Sequence, residues 1–347
     1  TNKDPEVDYA TISLKANSAT RAASSAVLGA FSGNVENMIV ISADLSNSDK
    51  TEGFLKNTKP LSHKNFEGAF LHAGVSELTM AAMANGMALH NIIPVCGTFF
   101  AFSDFMKPAV RLAALMELPV KYVWTHDSFR VGEDGPTHQP VEQEAQIRLL
   151  EKLKNHKRRN SMLVLRPADS AETLMAWKMA LENRHTPTGL ILSRQNINDL
   201  PAKSPEKRLN EARESTKGAY VVWEAQGDPD VVLVASGSEV STLIDAAGLL
   251  TKEEGLKVQV VSVISEGLFM QQNETYRNKI IPQDKPILAL TAGLPVTMQS
   301  LVGCKGKVLG LDHFGYSAPY TILDEKFGFA GEPVKEQVLK YLRNFNS

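Results

Sequence analysis

The sequence predicts an α/β protein made of two three-layer domains, each built on a mostly parallel sheet. Short β-rich runs alternate with longer segments of helical apolar periodicity, which is the pattern of βαβ units. At 347 residues the chain is long enough to form two separate cores. Between residues 198 and 216, two prolines and many charged residues replace the apolar periodicity, which indicates a linker.

The first half contains four predicted strands and two predicted helices. The strand candidates are 38–43, 120–125, 162–166 and 189–193. The helix candidates are 74–89 and 102–116, in which apolar residues recur at helical spacing. We therefore expect residues 1–200 to form one domain with helices on both faces of its sheet.

The same alternation resumes after the linker, which we place at 201–216. Strands are predicted at 231–235, 258–263, 286–290 and 307–311, and an amphipathic helix at 334–345. We expect residues 217–347 to form the second domain.

Composition argues against several kinds of partner. A formal net charge of −2 gives no overall attraction for nucleic acid or for an anionic membrane. The dense basic run at 152–159 has no interleaved aromatic residues, so we interpret it as a solvated surface segment.

Cys96 and Cys304 fit no metal-ligand spacing and are predicted to be buried apolar residues. No apolar stretch approaches the roughly 20 residues that span a bilayer. The polar residues 1–6 have no signal-peptide pattern, which favours a cytoplasmic location.

The richest group of reactive side chains follows the predicted strand at 120–125. Its members are Thr125, His126 and Asp127, and then Gly-Glu-Asp-Gly-Pro-Thr-His-Gln-Pro at 132–140. A strand that ends in a glycine-rich polar loop is where α/β proteins place their chemistry, although a well-bonded surface turn is the alternative. A zinc site formed by His126, Asp134 and His138 is disfavoured, because no His-x-x-x-His pattern or cysteine pair supports it. We therefore assign no metal ligand.

Five further segments complete the pattern. They are Thr-Arg-Ala-Ala-Ser at 20–24, Ser-Ala-Asp-Leu at 42–45 with Ser48 beyond, His-Ala-Gly-Val-Ser-Glu at 72–77, Thr-Phe-Phe-Ala-Phe-Ser-Asp-Phe at 98–105 and Ser-Arg-Gln-Asn at 193–196. Together with the 132–140 loop they resemble transketolase in order and spacing, over nearly the whole chain. Among thiamine-diphosphate enzymes that loop is specific to this family. The resemblance covers the middle, pyrimidine-binding domain and the C-terminal domain of a three-domain enzyme.

This resemblance implies a thiamine-diphosphate-dependent transfer of a two-carbon ketol unit from a ketose phosphate to an aldose phosphate, in the pentose phosphate pathway. The family's first domain binds the diphosphate and Mg²⁺ through a Gly-Asp-Gly motif, which these 347 residues lack. The implied partners are sugar phosphates, a second copy of the chain in a homodimer, and a diphosphate-binding domain or subunit. One alternative is a 1-deoxyxylulose-5-phosphate synthase-like enzyme, which the 132–135 residues and the substrate residues given below disfavour. The other alternative is a non-catalytic or regulatory remnant.

The resemblance also assigns cofactor-binding residues. Glu77 would act in catalysis by hydrogen-bonding a ring nitrogen of the aminopyrimidine, although a surface carboxylate favoured by a helix dipole is the alternative. Phe99, Phe102 and Phe105 would form the apolar pocket around that ring, whereas their spacing alone would suit a core stripe. Asp44 would lie near the cofactor and the dimer interface, or it would cap a helix.

The implied substrate site combines residues from distant segments. Arg21, Ser48, His126 and Arg194 would bind the sugar phosphate, because guanidinium, hydroxyl and imidazole groups suit an oxygen-rich dianion. Asp134 and His138 would contact the ketose end, and His138 would also be catalytic through the carbonyl oxygen. The chain carries extra residues at 151–160, which we interpret as a surface insertion. Its match is weaker at 291–303, in a domain that supplies no catalytic residue in the family.

Overall fold

The first domain is built on a six-stranded parallel sheet. The computed structural model describes residues 7–345, so the sequence-based interpretation of residues 1–6 lies outside the described residues. The strands are β1 (Met38–Ser42), β2 (Phe70–His72), β3 (Ile93–Phe99), β4 (Lys121–Thr125), β5 (Leu163–Leu165) and β6 (Thr188–Leu192). They pair in the order β2-β1-β3-β4-β6-β5, with every neighbouring pair parallel.

Helices cover both faces of this sheet. They are α1 (Thr20–Asn34), α2 (Glu52–Leu55), α3 (Glu77–Ala88), α4 (Ser103–Leu115), α5 (Gln143–Lys152) and α6 (Ser170–Glu182), with short 3₁₀ turns at Tyr9–Thr11, Phe100–Phe102 and Phe129–Val131. Successive strand residues enter opposite cores, because side chains alternate along a strand. Val40 belongs to the core that contains Trp177 of α6, whereas Ile41 belongs to the core that contains Met80 of α3. The predicted three-layer arrangement is confirmed.

The second domain contains a smaller, five-stranded sheet. Its strands are β7 (Tyr220–Trp223), β8 (Val231–Ala235), β9 (Val258–Ser262), β10 (Ile287–Leu290) and β11 (Lys307–Leu309). Their order is β11-β10-β8-β9-β7, and all neighbours are parallel except the edge strand β7, which runs antiparallel to β9. The helices that follow the first sheet are α7 (Pro205–Ala212), α8 (Glu239–Glu254), α9 (Glu266–Met270), α10 (Glu274–Ile280), α11 (Gln299–Val302), α12 (Tyr320–Phe327) and α13 (Gly331–Phe345), and 3₁₀ turns occur at Arg213–Lys217 and Pro295–Thr297.

The eight predicted strands and three predicted helices are all present, but the central strand β3 was not predicted. Pro94 and Gly97 interrupt its apolar run and look like breaks. Gly97 is needed for a close approach, since a Cβ atom there would lie 2.5 Å from Thr51 Cγ2 and 2.8 Å from Asp49 Oδ2. The glycine that obscures the strand in the sequence therefore lets the chain after β1 pack against it.

The segment predicted as a linker is largely helical and packed. Ser204 accepts a hydrogen bond from the Lys207 amide, and Pro205 occupies the first turn, so α7 begins with two favourable residues. Arg208 of this helix is buried and bonds Asp169 at 2.6 Å and the Tyr220 hydroxyl at 2.6 Å. The segment therefore ties the two domains together through its own side chain.

Three smaller expectations can be compared with the structure. Cys96 is buried as predicted, but Cys304 is exposed because it lies in the loop between α11 and β11, and that prediction was wrong. The basic side chains of the 152–159 run are exposed, as predicted for a surface segment. Among the helices of residues 7–345, none is both long and apolar enough to cross a bilayer.

A buried cluster of charged side chains also joins the domains, and we call it the domain-interface cluster. Its members are Asp127, Arg130, Glu144, Arg148, Glu151 and Arg166 from the first domain and Glu239 and Asp324 from the second. Arg166 is its centre: it pairs with Asp127 at 2.8 Å, with Glu144 at 3.5 Å and closely with Glu239. Arg130 pairs with Glu239 at 3.2 Å and with Asp324 at 2.7 Å. The second domain thereby neutralises cations that the first domain buries.

Candidate active site

Most of the predicted site residues lie at one edge of the first sheet. Phe99 ends β3, His126 directly follows β4, and Arg194 lies two residues beyond the end of β6. Asp44 lies two residues beyond the end of β1. Because these four strands are neighbours and parallel, their carboxyl ends share one edge, which is where open α/β sheets bind ligands.

Arg21, Ser48, His126 and Arg194 come together at this edge as an electropositive cluster. Arg21 Nη1 donates to the Ser48 carbonyl at 2.6 Å and lies 3.4 Å from His126 Nε2. Burial, together with the nearby Arg194, lowers the pKa of Arg21, while the buried carboxyl of Asp49 acts in the opposite direction. Arg194 forms no ion pair or hydrogen bond through its side chain with the other residues between 7 and 345. The described residues therefore leave the positive charges of Arg21 and Arg194 largely unneutralised.

His126 is held neutral within this cluster. Burial, then the charges of Arg21 and Arg194, lower its pKa to about 2. Since a guanidinium can only donate, His126 Nε2 accepts, and its Nδ1–H donates to the Thr125 hydroxyl at 2.9 Å. The residue has φ +63, so the backbone turns sharply as it leaves β4. This turn places the imidazole on the Phe99 ring, with ring centroids 3.6 Å apart.

The three predicted phenylalanines form a continuous aromatic wall, and they are not an ordinary core stripe. The Phe99 and Phe102 rings stack at 5.7 Å, and Phe105 follows at 6.1 Å from Phe102. Exposure rises along the wall, from 7% at Phe99 to 64% at Phe105. His138 packs edge-on against Phe102 at 5.3 Å, and its Nδ1 is bonded to the Thr137 hydroxyl at 2.8 Å. The wall thus runs from the electropositive cluster to an open apolar surface.

Glu77 lies on the other side of the end of β3. It is the first residue of α3, and only 6% of its surface is exposed. Thr98 donates to Glu77 Oε1 at 3.2 Å, while the next strand residue, Phe99, faces His126. The carboxylate is therefore buried in the first turn of its helix, where the helix dipole favours negative charge, and is not the exposed carboxylate of the alternative interpretation.

Three predicted site residues, Asp44, Ser48 and Asp134, make fewer contacts with the other predicted site residues. Asp44 is exposed with φ +66, and α2 begins eight residues later, so the structure gives no support to the helix-capping alternative. Ser48 contributes its carbonyl to Arg21, whereas its hydroxyl bonds the Asn47 side chain at 3.2 Å. Asp134 is exposed in the 132–140 loop. Sequence reasoning overlooked Asp49, which is buried beside this group and bonded to Ser42 at 2.8 Å and to Thr51.

The second domain holds the 132–140 loop in place, which sequence reasoning did not foresee. Ser317 donates to the Glu133 carbonyl at 2.5 Å. The Gln139 amide bridges the carbonyls of Gly132 and Tyr316, at 2.9 Å each. The domain-interface cluster also contacts the segment that precedes this loop, because Arg166 bonds Asp127, the residue after His126. The second domain therefore contacts the loop at Glu133 and Gln139, the residues next to Asp134 and His138.

The residues present fit one half of a thiamine-diphosphate site. A buried carboxylate and a partly exposed aromatic wall, both at the carboxyl end of β3, suit an aminopyrimidine ring, which has nitrogen groups at its edge and an apolar face. Within residues 7–345 no group of three or more histidine, cysteine, aspartate or glutamate side chains is arranged to hold a metal ion.

Comparison with known families decides the relationship. The model of the transketolase pyrimidine binding domain matches residues 16–199, which is more than half of the chain. The chain belongs to the transketolase family. The model of the transketolase-like C-terminal domain matches residues 218–330. A pyrimidine-binding domain of this family implies dependence on thiamine diphosphate.

Individual transketolases agree with this assignment. The chain is 43% identical to the transketolase of Halalkalibacterium halodurans over 329 residues, which cover 94% of this chain and 47% of that protein. It is 42% identical to the transketolase of Bacillus subtilis, covering 92% of this chain and 46% of that protein. The chain therefore spans about half the length of the curated relatives it matches.

Solved structures are similar over nearly the whole of this chain. A transketolase from Leishmania mexicana matches with a TM-score of 0.86 at 37% identity, covering 98% of this chain and 48% of that chain. A structure titled split gene transketolase, inactive β4 tetramer, matches with a TM-score of 0.70 and is covered to 98%. Its identity of 22% extends the likeness to the fold alone.

Proposed function

We propose that this chain forms the pyrimidine-binding and substrate-binding part of a transketolase, which transfers a two-carbon ketol unit from a ketose phosphate to an aldose phosphate. The observation that carries the proposal is the electropositive cluster of Arg21, Ser48, His126 and Arg194, which adjoins the aromatic wall where His126 stacks on Phe99. A guanidinium cluster without a carboxylate partner of its own is suited to a phosphate dianion. Burial and then the charges of Arg21 and Arg194 lower the pKa of His126, and a dianion bound by these two arginines would offset the effect of their charges.

The remaining residues have separate tasks in this proposal. When bound, thiamine diphosphate supplies the carbon nucleophile that allows the carbon–carbon bond to break. Glu77 would accept a hydrogen bond from the edge of the aminopyrimidine ring, and the aromatic wall would hold the ring's face and exclude water. His138 would present its Nε2 to the substrate, since its Nδ1 is bonded to Thr137. Asp134 would bind a sugar hydroxyl from the loop.

We further propose that the diphosphate and Mg²⁺ are held by residues outside these 347, in another segment or subunit. The half-length match to the relatives supports this proposal. A second copy of the chain is the other proposed partner. Val75, Leu78 and Phe105, at and near α3 and α4, are 81%, 49% and 64% exposed, and a two-fold interface through this face would bury them.

Reconstitution tests the proposal. The chain alone, with thiamine diphosphate and Mg²⁺, is expected to show no ketol transfer, and addition of the diphosphate-binding polypeptide is expected to produce it. Sedimentation of both samples should show the dimer and the assembled complex. Turnover by the chain alone would refute the need for a partner. An assembled complex that fails to cleave ketose phosphates would refute the activity and leave the non-catalytic alternative.

A further inference from the structure

A cavity lies at the opposite end of the first sheet's strands from the candidate active site. It has a volume of about 550 Å³ and is formed at the amino ends of β5 and β6. Both domains contribute to its lining, which includes Leu163 and Met179 from the first domain and Leu268 and Gln271 from the second. This volume lies within the range of about 300–1,000 Å³ that is usual for small-molecule sites.

Three cations of the basic run line this cavity, namely Lys154, Arg158 and Arg159. The guanidinium groups of Arg158 and Arg159 make no ion pair or hydrogen bond with the other residues between 7 and 345. Lys154 bonds only a neutral group, the Asn160 side-chain oxygen at 2.5 Å. Unneutralised positive charge from this one segment therefore lines the cavity.

The other lysines of the run do not line the cavity and do have partners. Lys152 pairs with Glu266 at 3.1 Å, and Lys157 pairs with Glu117 at 2.7 Å. The run is therefore divided between lysines neutralised by carboxylates and cations that face the cavity without one. This division would not be expected of a surface segment whose charged side chains only contact solvent.

Two acidic residues also line the cavity, but neither neutralises the cations. Glu151 is buried and engaged with Arg148 at 2.9 Å and with the Ser265 hydroxyl at 2.7 Å. Glu182 is exposed and pairs with Lys178 at 3.9 Å. Both carboxylates are accounted for without Arg158 or Arg159.

The backbone that carries the cations is ordered. Asn155 Oδ1 accepts from the amides of Lys157 and Arg159, at 3.0 Å each, and Lys154 pairs with Asn160 across the turn. Arg158 itself has φ +63 at the tip. Because the turn is fixed by its own bonds, its cations lose little backbone freedom when they bind a ligand.

We propose that this cavity binds a small molecule that joins a phosphate monoester to an apolar or aromatic group. Two guanidinium groups and an ammonium group suit the oxygen-rich dianion. The apolar part would lie against Met162, Leu163, Met179 and Leu268, which also line the cavity and provide a hydrophobic surface. The site is separate from the candidate active site and does not depend on the proposed function.

Calorimetric titration of the 347-residue chain tests this site, with adenosine monophosphate as the probe. Adenosine and inorganic phosphate each carry half of its chemistry, so both should bind at least about tenfold more weakly. The double substitution Arg158→Ala/Arg159→Ala should weaken binding of adenosine monophosphate by about tenfold or more, because it removes charge-assisted bonds. These side chains are exposed on a turn, and circular dichroism checks that the fold is retained.

Two matched substitutions complete the test. Lys152→Ala removes a cation of the same run that has its own partner, and it should change the affinity less than twofold. Arg194→Ala removes a cation of the candidate active site and should likewise leave it unchanged. Saturable binding that is lost only in the double variant supports the site. The proposal is overturned if adenosine monophosphate does not bind, if inorganic phosphate binds as tightly, or if only Arg194→Ala abolishes binding.

Discussion

Replacement of Arg166 by methionine tests how much the central charge of the domain-interface cluster stabilises the fold. Arg166 is 1% exposed and is the shared partner of Asp127, Glu144 and Glu239. Methionine keeps much of the side-chain volume and removes the charge. Burial acts to raise the pKa of Glu144, but Arg166 and Arg148 hold it below its ordinary value. Without Arg166, the same carboxylates would share a buried site with one cation fewer.

The cost follows from the need to neutralise one of these carboxylates. Protonating a carboxyl group with a reference pKa of about 4 costs about 4 kcal/mol at pH 7 and about 1.4 kcal/mol at pH 5. The first figure agrees with the roughly 3–5 kcal/mol lost when one partner of a buried ion pair is removed. Only the folded variant takes up this proton at neutral pH. Its stability relative to wild type should therefore recover as the pH falls from 7 to 5.

Urea unfolding at pH 7 and pH 5, followed by tryptophan fluorescence, measures both quantities. Arg213→Met serves as the control, because Arg213 is exposed and its loss should cost no more than about 0.5 kcal/mol at either pH. A loss below about 1 kcal/mol at pH 7 for Arg166→Met would refute the electrostatic reasoning. An equal loss at both pH values would show that packing, and not charge, sets the cost.

Three further predictions concern the candidate active site. In the assembled enzyme, Glu77→Gln should lower kcat by about 100-fold or more, equivalent to about 3 kcal/mol, and should slow hydrogen exchange at the reactive carbon of the bound cofactor; an unchanged exchange rate would contradict its role. Arg194→Ala should raise KM for phosphorylated donors about tenfold or more while sparing hydroxypyruvate, and equal losses with both donors would argue against phosphate binding. His126 stays neutral in the folded protein, whereas in the unfolded chain it takes up a proton below a pKa of about 6.5. The free energy of unfolding should therefore fall as the pH is lowered through that value. His126→Asn, which tolerates the positive φ, should reduce the loss of unfolding free energy between pH 7 and pH 5 by about 2 kcal/mol, and an unchanged loss in urea unfolding would contradict this assignment.

The periodic parts of the fold could be predicted from the sequence, and the exceptions have physical causes. Strands such as β8 and β10 are buried along their whole length and are visible as continuous apolar runs. The central strand β3 was concealed because a close approach to Asp49 and Thr51 requires glycine within it. The edge strands β2 and β7, of three and four residues, are too short to show a period.

The candidate site likewise has features that could be predicted from the sequence and features that could not. Arg21, His126 and Arg194 could be grouped from sequence because the resemblance to transketolase assigns them to one site, and the structure brings them to one edge of the sheet. The neutrality of His126 could not be predicted, because it depends on burial and on charges from other strands. The support that Ser317 gives to the 132–140 loop was equally hidden, since nothing in either segment indicates the other.

The domain-interface cluster also limits how this protein can exchange parts with its relatives. A recombination breakpoint near residue 200 would combine a first domain carrying Arg130 and Arg166 with a foreign second domain. Unless that domain brings its own carboxylates to the positions of Glu239 and Asp324, the chimera would bury two cations with fewer partners. The two halves are therefore expected to be inherited as a pair, and laboratory chimeras should place their junctions before α1 and not between the two sheets.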